Sequence, residues 1–257
     1  IEAVEGGAIV WSSGQCKSDT QFDRTGLLWG MWVNEGEKAS WAEKIKTNHI
    51  SAITDVEAFM KAGVVNERNS NAKYSKGIVD VHGWGGQEMV MMPDIKQKLI
   101  ELKNAGKDPS EYFVLSMSVM GALGTRNPNV DRKSLNIDMV PVQTLSALQN
   151  IAMKLTEHYQ DRAISFIQNI DALEGHSMGG YAVSKMAQLF EAIKAGKSDI
   201  VASITPDLNN KTLEFYKNAL KENRFNPQIF AYNPAVYGNL SREQLAVMQN
   251  LINDRRA

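Results

Sequence analysis

The sequence holds a single cysteine, Cys16, in 257 residues. One thiol excludes an intramolecular disulfide framework and a cysteine-based metal site, and it leaves the compartment open. Read structurally, Cys16 is a half-buried small residue. An excess of one charge is also lacking, since 28 Lys plus Arg stand against 29 Asp plus Glu for a formal net charge of −1. No overall field draws such a chain to nucleic acid or to an anionic surface, so neither is an expected partner. Nor does it contain an apolar run of the ~18 residues that a membrane-spanning helix requires. Internal repeats, low-complexity tracts and linkers are missing too. The chain starts at Ile1 with neither an initiator methionine nor a signal-like apolar block, and the expectation is a processed or excised segment. A soluble protein is the expectation, with its location unassigned and secretion or delivery as part of a larger protein both open.

What is present suits one large core. At 43% hydrophobic residues, this length matches a single α/β domain, and one domain over 1–257 is the expectation. The apolar runs at 7–11 and 26–33 read as early antiparallel strands. Ser40 and Glu43 make a capping box before a helix or helix pair over 41–62, with a loop following at 66–76. A strand at 77–81 then leads into His82-Gly83-Trp84-Gly85-Gly86. Pro93 and Gly106 bracket an amphipathic helix. Beyond it come a strand over 111–119, a long polar loop over 121–138 and a helix over 145–159.

The most informative stretch is Glu174-Gly175-His176-Ser177-Met178-Gly179-Gly180. A strand at 170–174 enters it, and Val183, Met186, Ala187 and Phe190 leave it at helical spacing. Gly-x-Ser-x-Gly between a strand and a helix is the pattern of a nucleophile elbow, which lifts a serine hydroxyl clear of the backbone. Ser177 is therefore the candidate nucleophile. Further on, a β-branched run at 199–205 reads as a strand closed by Pro206-Asp207. A helix carrying Leu213, Tyr216 and Leu220, a strand at 228–232, a turn at 233–239 and a final helix capped by Ser241 and Gln244 complete the chain.

Strands alternating with helices after residue 77 imply a mainly parallel sheet covered by helices on both faces, with antiparallel strands at its N-terminal edge. Ligands bind such sheets beyond the carboxyl ends of the strands, where the 82–86 turn and Ser177 both fall. Acyl transfer requires that combination, a nucleophile beside N–H donors aimed at the developing oxyanion.

From about residue 77 to the end of the chain, the order strand, His-Gly-x-Gly turn, helix, strand, helix, strand, Gly-His-Ser-Met-Gly-Gly, helix, strand resembles the α/β-hydrolase family. With residues 232–239 added, it looks more narrowly like bacterial lipases and phospholipases. The resemblance implies an esterase or lipase acting on a small-molecule or lipid ester through a Ser177 acyl-enzyme, with no cofactor and no metal. It further implies an oxyanion hole built by the backbone N–H groups of Met178 and Trp84, with His82 and Gly83 beside it. Asp207, at an expected strand end, is the candidate acid in the manner of one lipase branch, while the narrower lipase resemblance implies an acid from a later strand. Met89, Val90, Met91 and Met92 are candidates for an acyl pocket, though such residues also serve as core.

One family requirement is unmet. Its histidine follows the acid in chain order, yet His49, His82, His158 and His176 all precede Ser177. Strand alternation points His176 away from the serine, and His49 and His158 read as surface or helix-end residues. Two readings stay open. The segment stops short of the last strand and its histidine, or it is a catalytically incomplete hydrolase-fold interaction module of a larger toxin or effector protein.

Overall fold

A computed structural model describes residues 1–17, 24–47, 76–83, 91–117, 137–159 and 167–232. In chain order the elements are β1 (Glu2–Val4), β2 (Gly7–Lys17), β3 (Arg24–Asn34), α1 (Lys38–Thr47), β4 (Lys76–Val81), α2 (Met92–Asn104) and β5 (Tyr112–Met117). They continue with α3 (Met139–Tyr159), β6 (Ile170–His176), α4 (Met178–Lys194), α5 (Ser198–Ile204), α6 (Asn210–Lys221) and β7 (Gln228–Tyr232).

The strands form one seven-stranded sheet in the order β1-β2-β3-β5-β4-β6-β7. β1, β2 and β3 run antiparallel and join β5, also antiparallel. From β5 through β4 and β6 to β7 every pairing is parallel. This is an α/β sheet with an antiparallel N-terminal edge, as the alternation of elements predicts.

Period-2 alternation sends side chains to two cores. On one face Trp29, Val79, Val81, Leu115 and Leu173 pack with Leu145 and Leu148 of α3 and Val183 and Met186 of α4. On the other face Leu28, Ile78, Val114 and Ala172 pack with Ile95 and Leu99 of α2. α2 follows its sequence signals closely. Pro93 enters the first turn, Ile95 and Leu99 stand four apart on one face, and Gly106 takes φ 73° past its end. Both buried residues are fully enclosed, each contributing roughly 1.5–3 kcal/mol by removal from water.

These faces set the position of the site. β4 leaves the sheet through α2 on one face and β6 leaves it through α4 on the other, while β4 and β6 lie side by side. Adjacent parallel strands whose connections depart to opposite faces open a crevice at their carboxyl ends. Here those carboxyl ends bring His82 and Gly83 beside Ser177.

One expected element changes type. Residues 199–205 are not a strand: Ser198–Ile204 is α5. The place beside β6 that such a strand would take is filled by β7. Its apolar residues serve a helix instead, with Val201 and Ile204 buried three apart against α4 and Ile200 left 43% exposed. Short β-branched runs do not reveal their period, and tertiary packing decides. The helix over 145–159 starts earlier than its apolar pattern, at Met139. The loop at 66–75, the turn at 84–86, most of the 121–138 loop, the turn at 233–239 and the final helix lie outside the described residues, as do His49 and most of the helix expected to reach residue 62.

Candidate functional site

Ser177 joins β6 to α4 with φ 53° and ψ −113°, and apart from Asn223 it is the one non-glycine residue at positive φ among the described residues. Such a conformation costs on the order of 1–3 kcal/mol and persists only where the surroundings enforce it. Here the enforcement is visible. A Cβ at Gly175 would lie 2.7 Å from the Gly180 nitrogen, and one at Gly179 would lie 2.6 Å from the Val81 carbonyl carbon and 2.9 Å from the His82 oxygen. Only glycines let strand, turn and helix approach so closely. The turn is also tied sideways, because the Ser177 N–H donates to the Tyr232 carbonyl at the end of β7 at 3.0 Å.

The strain has a chemical result. A serine at a helix N-cap ordinarily spends its hydroxyl on the second or third backbone N–H. At positive φ this bond is not made, and Ser177 caps nothing with its side chain. Among the described residues its hydroxyl holds no hydrogen bond. The hydroxyl and the first N–H groups of α4, starting at Met178, are thus left for another partner at the positive end of the helix dipole. Met178 itself is fully buried, its side chain part of the α3–α4 core.

His82 and Gly83 arrive from β4. A Cβ at Gly83 would meet the Ser177 Cβ at 3.4 Å and the His176 Nδ1 at 3.7 Å, so the two strand ends do converge. His82 is 1% exposed, with Nδ1 2.7 Å from the Gly83 carbonyl oxygen. A carbonyl only accepts, so Nδ1 carries the proton and Nε2 is the ring's acceptor. Burial holds the imidazole below its usual pKa and so favours the neutral ring. Trp84 falls outside the described residues.

Asp207 is not brought to this place. It follows α5, a helix, rather than a strand, and its neighbours Pro206 and Leu208 line a cavity with Ala192, Lys194 and Gly196 at the far end of α4. With 17 residues, α4 holds its two ends about 25 Å apart. The expectation failed because it rested on a strand at 199–205.

The sequence does not single out the polar groups that lie beneath these strand ends. Asp80 pairs in register with Glu174 on one side and Ser116 on the other, all three buried on the α2 face. Lys98 of α2 forms an ion pair with Glu174. The Asp80 carboxyl is pushed up to about 6, chiefly by burial, with Asp94 adding to the rise and Lys98 and His176 opposing it. The Ser116 hydroxyl is fully buried and, among the described residues, has no hydrogen-bond partner. The available signal was a carboxylate at an inward position of each of two apolar strands. On the other face, the Tyr181 hydroxyl, one turn into α4, donates to Asp138 at 2.5 Å. No group of three His, Cys, Asp or Glu among the described residues is placed to hold a metal, and none of their helices is long and apolar enough to cross a membrane.

No family model and no curated protein matches the chain. Among solved structures, it is similar to S-formylglutathione hydrolase (FrmB) from Staphylococcus aureus at 14% identity, covering 97% of this chain and 88% of that one with a TM-score of 0.38. A ferulic acid esterase shares 10% identity over 96% of this chain and 98% of its own, with a TM-score of 0.36. The fluorophosphonate-binding serine hydrolase FphF of Staphylococcus aureus shares 13% over 96% and 97%, with a TM-score of 0.33. At these values the likeness carries no weight, and the fold assignment rests on strand order, register and the helices on each face.

Proposed function

We propose that the chain is a serine hydrolase that cleaves or transfers an acyl group from a carboxylic ester through Ser177. The observation that carries this reading is the backbone of Ser177, strained at φ 53° between two glycines that admit no side chain. A fold gains nothing in stability from such a serine, whose hydroxyl is withheld from the helix it begins. In the proposed reaction Ser177 Oγ attacks the ester carbonyl, its bond to the acyl carbon forms as the alcohol departs, and water then releases the acid. The Met178 N–H, joined by that of Trp84, supports the oxyanion. His82 and Gly83 shape the wall facing the nucleophile. A lipid-type ester is the favoured substrate class, resting on the methionine-rich stretch after the β4 turn, and an acyl chain-length series from acetyl upward tests it. Falling activity with lengthening chains would overturn the lipid preference.

A second reading has one observation in its favour. Asp207 stands at the far end of α4, so the acid expected from the sequence does not serve Ser177. On that reading the fold is retained as a partner-binding module of a larger protein. A fluorophosphonate probe separates the two. Covalent labelling of the native chain that disappears in Ser177→Ala supports the hydrolase, and an unlabelled native chain supports the module.

A further inference from the structure

At the end of α4 remote from Ser177, a cavity of about 590 Å³ opens between the last turn of α4, α5 and α6. Its size is within the ~300–1,000 Å³ typical of small-molecule sites. The lining divides by chemistry. Val201, Leu208 and Leu220 are buried in its floor, and among the described residues no aromatic side chain lines it. Around it stand Lys194, Lys197, Lys217 and Lys221, with no lining carboxylate among the described residues.

Four cations around one cavity are notable in a chain of net charge −1. Two are engaged only at the surface, Lys194 with Glu191 at 3.2 Å and Lys217 with Glu214 at 2.7 Å. Exposed pairs of this kind are weak and readily exchanged. Lys197 and Lys221 have no ion-pair partner among the described residues. Lysine stems extend the apolar wall while their ammonium groups stay in water, so the cavity is aliphatic within and carries four lysines at its mouth against the exposed Asp207 beside it.

We infer that this cavity binds a single-chain anionic amphiphile of the fatty-acid type, with its alkyl chain on the aliphatic floor and its carboxylate between the lysines of the α4–α5 turn and of α6. A ligand recognised by stacking would lack an aromatic face here. A bilayer surface would need a projecting apolar patch, whereas among the described residues the exposed large hydrophobic groups are Ile1, Ile200 and Tyr232, and only Ile200 belongs to these helices. The site does not depend on Ser177 and stands or falls apart from it.

The test is calorimetric titration of the full chain with dodecanoate below its micelle concentration, beside dodecyl maltoside and dodecyltrimethylammonium as neutral and cationic controls. Saturable binding of dodecanoate, roughly tenfold tighter than either control, is expected. Lys197→Glu combined with Lys221→Glu should weaken dodecanoate about tenfold and leave dodecyl maltoside unchanged. Ala202→Trp, which projects a ring into the cavity from an exposed position, should weaken both. All these positions are solvent-exposed, and unchanged thermal melting verifies that the variants fold. The inference is overturned by equal affinity for the three head groups, by dodecanoate binding that survives the charge reversals, or by no saturable binding. Capture on phosphatidylglycerol vesicles without binding of monomeric dodecanoate overturns it in favour of a membrane surface.

Discussion

Gly179 of α4 rests directly against Val81 at the end of β4, so close that a Cβ on the glycine would stand 2.6 Å from the valine's carbonyl carbon. This apposition locks the helix that begins at Ser177 onto the strand that ends at His82. It gives the first prediction a sign opposite to that of helix propensity. Alanine inside a helix is ordinarily favoured over glycine by about 1 kcal/mol. Here the methyl group meets backbone that no rotamer change can move, so Gly179→Ala should destabilise by about 2 kcal/mol or more. Urea denaturation measures it, and fluorophosphonate labelling of Ser177 should fall with it.

Ser177 itself carries the complementary prediction. Replacing it with glycine relieves a conformational cost of about 1–3 kcal/mol, offset by the ~0.5–1 kcal/mol of extra chain entropy that glycine loses on folding. Ser177→Gly should therefore be more stable than the parent by about 1 kcal/mol, while Ser177→Ala, which keeps the strain, should match the parent. If both variants melt alike, the strain at this residue is not real.

Asp80 supplies a pH dependence. Its carboxyl, at about 6 in the folded chain against an ordinary 3.8, keeps a proton that the unfolded chain has already released. The stability it contributes is complete below pH 3.8 and lost as pH rises through about 6, a decline on the order of 2 to 3 kcal/mol. His82, held below its usual value by burial, acts in the opposite sense, its contribution falling as pH drops below the ordinary imidazole range. The two separate by substitution. Asp80→Asn should flatten the decline and raise stability at pH 8, read from urea midpoints at stepped pH; an unchanged slope would exclude Asp80 as its source.

Asp207 is exposed at the far end of α4. Asp207→Asn should leave the rate of fluorophosphonate labelling within about twofold of the parent. A loss of a hundredfold or more would mean that the residue reaches Ser177 after all.

Much of this architecture could be read from residue order because local and tertiary signals agree. Pro93, Ile95, Leu99 and Gly106 describe α2 before any packing is considered, and Gly175, Ser177 and Gly179 describe a turn that few other residues could make. The run at 199–205 misled because Val and Ile suit a strand locally, while the neighbouring position in the sheet was already occupied by β7. Asp207 was misplaced with it. The Asp80, Glu174 and Lys98 group was illegible for another reason. Each is an ordinary charged residue in its own segment, and only the register of β4 with β6 and the docking of α2 bring them together.

The bond from the Ser177 N–H to the Tyr232 carbonyl also bears on time. The stance of the serine is fixed from three directions, by its own glycines, by β4 and by β7, and the last two are distant in the chain. Contacts between distant segments are slow to form because the intervening loop must close first. In refolding, helical signal should thus return before Ser177 accepts a fluorophosphonate, which makes the probe a clock for the final docking of the sheet. Labelling that recovers in step with the far-ultraviolet signal would show instead that the elbow assembles on its own.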